Sequence, residues 1–195
     1  MDPAKFTYKV QEALQRTVQH AAQLGHQQIT VPHLLATLID QPESIVSAVL
    51  KKLEVDVGAL RRRIAEAEKK VPVVTGLVVT PHLTTEFNAV MATSERLAQQ
   101  LHDEYVSTEH LLLAMTEVKS EAKDTLADFG ATSDSVLTVL KSVRGTHRVV
   151  DQEPESKYQA LGKYATNLVE QARNGQLDPV VGRDREIRRV MQVLS

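Results

Sequence analysis

The chain has 195 residues and a formal net charge of −2, which favours one compact domain plus a remainder and gives no electrostatic case for nucleic acid or an anionic membrane. Hydrophobic residues make up 42% but aromatic residues only 4%, so Leu, Val and Ala must fill the core, as suits packed helices. Cysteine, a signal peptide and an apolar run of the ~18 residues that a membrane helix needs are all absent, so we expect a soluble cytoplasmic protein without disulfides or thiolate catalysis.

Two stretches of the chain are versions of one another, Ile29–Leu38 with the sequence ITVPHLLATL and Val106–Met115 with the sequence VSTEHLLLAM. They lie 77 positions apart, and nonpolar residues keep that offset upstream and an offset of 76 downstream. Two copies are too few for a solenoid, which needs about three or more repeats. The sequence therefore predicts a closed, pseudo-twofold pair of repeats.

Each repeat is predicted to form four helices, which makes the domain all-α. In repeat one, about residues 1–70, nonpolar stripes at helical spacing mark helices near 6–24, 30–38, 45–53 and 57–64. Gly25 suits the C-terminal cap of the first helix, and Thr30 suits the N-terminal cap of the second.

Residues 71–79 connect the repeats and are rich in β-branched side chains. This composition favours an extended connector packed against the helices; a nonpolar lip that touches other proteins is the alternative. Repeat two, about residues 80–143, is predicted to contain helices at 81–102, capped by Thr80, and at 107–116, 120–129 and 133–143.

The chain changes character after residue 143. Residues 144–156 carry scattered charge without nonpolar periodicity, which predicts an exposed interdomain linker. Helical patterns return within 157–195, and the last one runs to the C-terminus without a cap. We therefore expect the chain to be an N-terminal piece of a longer protein.

The order of these parts, together with Lys157–Tyr164 and the block Leu177–Leu194 (LDPVVGRDREIRRVMQVL), resembles the beginning of the Clp-type AAA+ unfoldases. The segment Tyr-Gln-Ala-Leu within the first stretch favours the disaggregase branch of that family over its peptidase-coupled branch. The resemblance implies a Clp N-terminal repeat domain at 1–143, a linker at 144–156 and the start of the first ATPase module at 157–195.

The resemblance also implies a nucleotide site in the full-length protein, which would use ATP and Mg²⁺. The residues that match its adenine pocket are Val180, Val181 and Gly182. This chain contains no phosphate-binding loop of the form G-x-x-x-x-G-K-[ST]. We therefore expect no cofactor and no enzyme activity in it; a nucleotide-dependent enzyme is the alternative that tight ATP binding would support.

The seven histidines invite a metal hypothesis, which their spacing does not support. His20 and His26 are six positions apart and His102 and His110 eight apart, and neither spacing stacks two ligands on one helical face. With no G-x-S-x-G motif and no cysteine, a hydrolase site is not indicated either.

A client-binding surface near the junction of the repeats is a further implication of the resemblance, at Thr7, Asp103 and Glu109. Each residue also suits a structural role: a helix cap, a loop position and a carboxylate in the first turn of a helix. We add Met91 and Leu97, because an unfolded client offers nonpolar side chains, although both also suit the core.

The resemblance thus implies a recognition domain that captures exposed hydrophobic segments of misfolded or aggregated proteins and hands them to an ATP-driven ring. The full-length protein would be a homohexamer that cooperates with the DnaK chaperone system, whereas this chain alone is expected to be a monomer. The alternative is an adaptor-docking domain of a peptidase-coupled Clp unfoldase. A coiled-coil insertion elsewhere in the full-length protein would distinguish the disaggregase.

Overall fold

The computed structural model describes residues 3–42, 44–73, 81–144, 148–154, 175 and 182–194. The chain divides into two compact units, residues 1–159 and 160–195. None of the described helices combines the length and the nonpolar content that crossing a lipid bilayer requires.

The described helices of the first unit fall into two sets of four that match the duplicated sequence. After a 3-10 turn at Pro3–Lys5, the first set is α1 (Tyr8–Gln23), α2 (Val31–Asp40), α3 (Ile45–Lys52) and α4 (Val57–Glu68). The second set is α5 (Thr85–Gln100), α6 (Thr108–Glu117), α7 (Glu121–Asp128) and α8 (Ser133–Arg144). The predicted helical, duplicated fold is confirmed.

Equivalent hydroxyl groups begin the long helices α1 and α5. The Thr7 hydroxyl accepts a hydrogen bond from the Val10 N–H, and the Thr84 hydroxyl accepts one from the Phe87 N–H. The predicted start of α5, the first helix of repeat two, at residue 81 is wrong, because residues 82–83 form a strand and the helix begins only at Thr85.

Short extended segments join the two repeats in a reciprocal way. Strand β1 (Gln28–Ile29) pairs in parallel with β2 (His82–Leu83), which precedes α5. Phe6, which precedes α1, forms the equivalent parallel bridge with Val106. Each repeat therefore supplies the partner for the segment that leads into the long helix of the other.

The core lies around α2 and α6, which are the two copies of the duplicated His-Leu-Leu sequence. Helices α1 and α4 pack on α2, helices α5 and α8 pack on α6, and the contacts α3–α8 and α4–α7 join the repeats. The largest buried side chains of the two central helices are Leu34, Leu35, Leu38, Leu111, Leu112, Leu113 and Met115. Burial of this nonpolar surface is the main force that holds the fold.

The segment after α8 corrects the predicted exposed linker. Residues 148–154, which we call the strap, belong to the first unit and pack on its helical repeats, and Val149 is 0% exposed. The Glu104 N–H donates to the Val149 carbonyl at 2.9 Å, and the Tyr8 N–H donates to the Gln152 carbonyl at 3.0 Å. These backbone hydrogen bonds hold the strap in place. Its composition suggested exposure because most of its side chains are polar.

The second unit is described mainly through α9 (Asp184–Leu194). The nonpolar side chains of this helix that are described are exposed, from 41% at Ile187 to 79% at Val193. Gly182 is exposed and has a φ of +75°, which favours glycine. Val180, Val181 and the helical pattern around residues 164–172 lie outside the described residues, as do connector residues 74–79.

Candidate functional site

Three of the predicted site residues come together where the repeats meet, but their side chains are buried. Thr7 caps α1, is 0% exposed and donates its backbone N–H to the Val106 carbonyl at 3.0 Å. Asp103 lies in the turn before Val106, and Glu109 lies in the first turn of α6. In this structure these three residues therefore hold the junction of the repeats together and are not exposed at the surface.

Asp103 is the centre of this polar cluster. Its carboxylate accepts hydrogen bonds from His110 Nε2 at 2.9 Å, Arg144 Nη2 at 2.7 Å and the Val149 N–H at 2.8 Å. Burial acts to raise the pKa of Asp103, but these bonds outweigh it and lower the pKa to about 2. Asp103 thus stays ionised and ties α6, α8 and the strap together.

Glu109 is the least satisfied member of the cluster. Its side chain is 0% exposed, and neither carboxylate oxygen accepts a hydrogen bond from the described residues. Its nearest opposite charge is Arg144, whose Nε lies 3.9 Å from Oε1. The position near the N-terminus of α6 is favourable for an anion, which offsets part of the cost of burial.

Met91 and Leu97 do not form the exposed nonpolar surface that the sequence analysis expected. They are 1% and 5% exposed, because the face of α5 that carries them packs into the core. In this structure neither side chain is presented to a partner.

Repeat one contains a related polar cluster that the sequence analysis missed. His26 Nδ1 lies 2.8 Å from His33 Nε2, and His20 Nε2 lies 2.9 Å from Glu68 Oε1. Burial and the neighbouring imidazoles lower the pKa of His33 to about 4, and burial also lowers the pKa of His26. Among the described residues, no three His, Asp or Glu side chains converge as ligands for a metal ion.

The two clusters occupy equivalent positions. At the offset of 77, His26 corresponds to Asp103 and His33 to His110; at the offset of 76, Glu68 corresponds to Arg144. The register of the duplication already contained this correspondence. Only the fold shows the contacts of His20 with Glu68 and of Asp103 with Arg144, which join residues 48 and 41 positions apart in the sequence.

A groove with a volume of about 720 Å³ crosses the surface of the first unit and is shared by both repeats. The salt bridge between Lys70 of repeat one and Glu121 of repeat two, 2.5 Å long, is part of its wall. The lining residues come from the N-termini of α2, α5 and α7 and from the C-terminal part of α4; they are Gln28, Thr30, Val31, Pro32, Arg63, Ala67, Lys70, Val71, Pro72, Thr84, Glu86, Lys119, Ser120, Glu121 and Asp124.

The strap lies at the equivalent place in the other repeat. Thr7 and Ser107, the counterparts of the lining residues Thr84 and Thr30, are 0% exposed, whereas Thr84 and Thr30 are only half-buried. The strap carbonyl of Gln152 receives the N–H at the start of α1. In repeat one, Val73 is the counterpart of Val149 at the offset of 76, and it forms an antiparallel bridge with His26, the counterpart of Asp103. The segment after α4 therefore starts along the path that the strap takes in repeat two, and the groove lies beside it, lined by Val71 and Pro72.

Comparisons with known proteins agree on one family. The model of the Clp repeat (R) N-terminal domain matches residues 5–129. A chaperone protein ClpB from Mycobacterium bovis is 40% identical over 195 residues, and one from Corynebacterium diphtheriae is 42% identical over 190 residues. The matches cover 100% and 97% of this chain but 23% and 22% of those proteins, so the chain spans about a quarter of the length of these relatives.

Solved structures show the same fold. The N-terminal domain of Hsp104 from Candida albicans has a TM-score of 0.67 and 23% identity, over 77% of this chain and 99% of that one. The N-terminal domain of the ClpV1 ATPase from an Escherichia coli type VI secretion system has a TM-score of 0.62 and 22% identity, over 76% of this chain and 90% of that one.

Proposed function

Because this chain belongs to the Clp repeat N-terminal domain family, we propose that it is the polypeptide-recognition domain of a ClpB-type chaperone. It captures exposed hydrophobic segments of misfolded or aggregated proteins and passes them to an ATP-driven ring. The relatives named ClpB support the disaggregase branch over an adaptor-docking domain of a peptidase-coupled unfoldase.

The groove shared by the repeats is the observation that carries this proposal. Its volume of about 720 Å³ falls within the ~300–1,000 Å³ typical of ligand pockets. Val31, Pro32 and Ala67 give it nonpolar surface, while Lys70 and Glu121 place both signs of charge at its wall. Such a mixed lining suits a short stretch of polypeptide without selecting one sequence.

The strap supports an extended conformation for the bound segment. In repeat two, the Tyr8 N–H at the start of α1 donates to a strap carbonyl. The equivalent residue in repeat one, Thr85 at the start of α5, makes no such bond within the described part of the chain. A client carbonyl would accept from that N–H as Gln152 does from Tyr8.

Weak capture is sufficient for this role. A groove of this size holds only a few residues of a client, so the affinity of one contact is low. Attachment to a ring would keep the domain close to the pore, and a high effective concentration would offset the low affinity.

The remaining expectations concern the whole protein and are part of the same proposal. They are a cytoplasmic homohexamer, cooperation with the DnaK chaperone system, and ATP with Mg²⁺ bound by an ATPase module whose adenine pocket includes Val180, Val181 and Gly182. In this domain, Thr7, Asp103 and Glu109 would act on clients by shaping the junction and holding the strap. Met91 and Leu97 would act by supporting α5 from the core.

An NMR titration with a permanently unfolded client tests the groove. We expect shifts at Thr30, Thr84 and Glu121, and a Lys119→Trp variant, which fills the groove from an exposed position, should weaken binding at least severalfold. Lys69→Trp is the matched control, since Lys69 is exposed outside the lining. Shifts confined to residues 157–195, or equal losses in both variants, would contradict the proposal.

A further inference from the structure

We propose that His20, His26 and His33, together with Glu68, form an acid-sensitive latch on the N-terminus of α2, and that repeat two has no equivalent of it. We call this group the histidine latch. The proposal rests on side-chain geometry, and only its consequence for client capture rests on the function proposed above.

The hydrogen bonds of the latch require both buried imidazoles to be neutral. His33 Nδ1 accepts the Thr30 N–H at 3.1 Å, so the ring carries its proton on Nε2. That proton is donated to His26 Nδ1 at 2.8 Å, so His26 is unprotonated at Nδ1. A second proton on His33 would lie on Nδ1 and face the Thr30 N–H, and one on His26 would lie on Nδ1 and face the His33 Nε2–H. Either proton would place two donors face to face and break the hydrogen bond between them.

Burial lowers the pKa of His26 and outweighs the Glu68 carboxylate, which acts to raise that pKa. His20 of α1 lies edge-on to His33, with ring centroids 5.8 Å apart. Since an imidazole is either neutral or positively charged, His20 adds no negative charge. Glu68 of α4 is the nearby carboxylate, and it pairs with His20 at 2.9 Å. Among the described residues, no carboxylate accepts a hydrogen bond from His26 or His33.

The sign of the pH dependence follows from this arrangement. Burial holds the pKa of His33 at about 4, below its ordinary 6.5, and lowers the pKa of His26 as well. A folded-state pKa below the unfolded value means that the latch is fully stabilising above pH 6.5 and is lost as the pH falls from 6.5 towards 4.

Repeat two keeps the cap but replaces its partner. His110 Nδ1 accepts the Ser107 N–H at 3.0 Å, as His33 does from Thr30. Its Nε2, however, faces the Asp103 carboxylate at 2.9 Å instead of a second imidazole. Repeat two therefore lacks the hydrogen bond between two imidazoles that defines the latch in repeat one.

The latch lies directly beneath the groove. Thr30, which donates to His33, lines the groove together with Val31 and Pro32, the first two residues of α2. Loss of the Thr30–His33 bond would loosen this turn. Acidification would therefore change the wall against which a client packs.

Amide hydrogen exchange on the unmodified chain tests the latch without any client. After correction for intrinsic exchange, protection of the amides in residues 31–34, which are those of Val31, His33 and Leu34, should fall on the order of tenfold between pH 7.5 and pH 5. The first turn of α6, residues 108–111, is an internal control with the same cap and should fall much less. An equal response of both turns, or no response at residues 31–34, would overturn the proposal.

A transplant of the repeat-two side chains provides a second test. The double variant His26→Asp/Glu68→Arg gives His33 the partners that His110 has in Asp103 and Arg144. We expect residues 31–34 to lose their acid response; an unchanged response would count against the latch. If the variant does not fold, the exchange result on the unmodified chain decides alone. Acid opening with unchanged client binding would contradict the proposed groove and leave the latch standing.

Discussion

Repeat one and repeat two share a backbone plan, yet their polar interiors differ. Both place a histidine at the third position of the central helix and use it to accept the N–H of the capping residue. Behind that histidine, repeat one has a second imidazole, whereas repeat two has a carboxylate bound to an arginine. The nonpolar face and the cap define the repeat, while the polar partners have diverged between the two copies.

The largest effect on the free energy of unfolding should come from the buried nonpolar core, which both repeats share. Leu35 and Leu112 are equivalent positions at the offset of 77, and both are 0% exposed. Truncation to Ala should lower the free energy of unfolding by about 3–4 kcal/mol at each site, through lost burial and the cavity left behind. Urea unfolding measures both values, and a difference above about 2 kcal/mol would show that the two cores are not equivalently packed.

The next effect separates the two polar clusters. Asp103→Asn removes the buried carboxylate that accepts from Arg144 Nη2 at 2.7 Å, which should cost about 3 kcal/mol. His26→Asn removes a neutral hydrogen bond at the equivalent position and should cost about 1 kcal/mol. Urea unfolding measures both losses. Equal losses would mean that the charged cluster of repeat two contributes no more to the free energy of unfolding than the neutral cluster of repeat one.

Acid titration should distinguish the clusters by pH range. The pKa of Asp103 is about 2 against an ordinary 3.8, so its stabilisation is present above pH 3.8 and is lost as the pH falls towards 2. The corresponding loss is about 2 kcal/mol, since one unit of pKa is worth about 1.4 kcal/mol. Site-resolved exchange should therefore show the turn at residues 31–34 opening between pH 6.5 and 4, before the strap contact at Val149. The reverse order would contradict both assignments.

The smallest effect concerns two pairs of equivalent positions in which one repeat has glycine and the other does not. Gly25 and His102 are equivalent and have φ values of +71° and +58°; Gly130 and Glu54 are equivalent and have +76° and +56°. His102→Gly and Glu54→Gly should each raise the free energy of unfolding by about 0.5–1 kcal/mol, because glycine relieves a left-handed conformation.

The reverse substitutions serve as the control for that comparison. Gly25→Ala should be the more damaging one, since its Cβ would lie 3.1 Å from Val73 Cγ1 in addition to the unfavourable φ. At Gly130 a Cβ would meet nothing within 4 Å. Thermal unfolding of the four variants measures the series, and stabilisation by Gly25→Ala would show that the strain is overestimated.

The helices and the core were predictable from the sequence because their signals are local and periodic. Leu34, Leu35, Leu111 and Leu112 repeat at helical spacing within a duplicated block, and all four are buried as expected. The start of α5 was predicted four residues early because the strand at residues 82–83 is stabilised by its partner in the other repeat. A pairing of that kind leaves no periodic signal in so short a segment.

The polar site was less predictable for a related reason. The Asp103–Arg144 contact joins residues 41 positions apart, and only the fold brings them together. The strap has two buried residues, Val149 and Pro154, in a mostly polar segment, and two such residues give no periodic signal. Thr7, Asp103 and Glu109 remain predicted client contacts, and the burial of their side chains was not visible in residue types alone.

The reciprocal strand pairing has a consequence for how the domain assembles. Gln28 pairs with His82 and Phe6 with Val106, so neither half can complete the entry to its long helix from its own sequence. A polypeptide carrying only one repeat would have to exchange these segments with a second copy, giving an intertwined homodimer. The present chain performs that exchange within itself, so its native entry segments depend on contacts between distant positions, which form slowly.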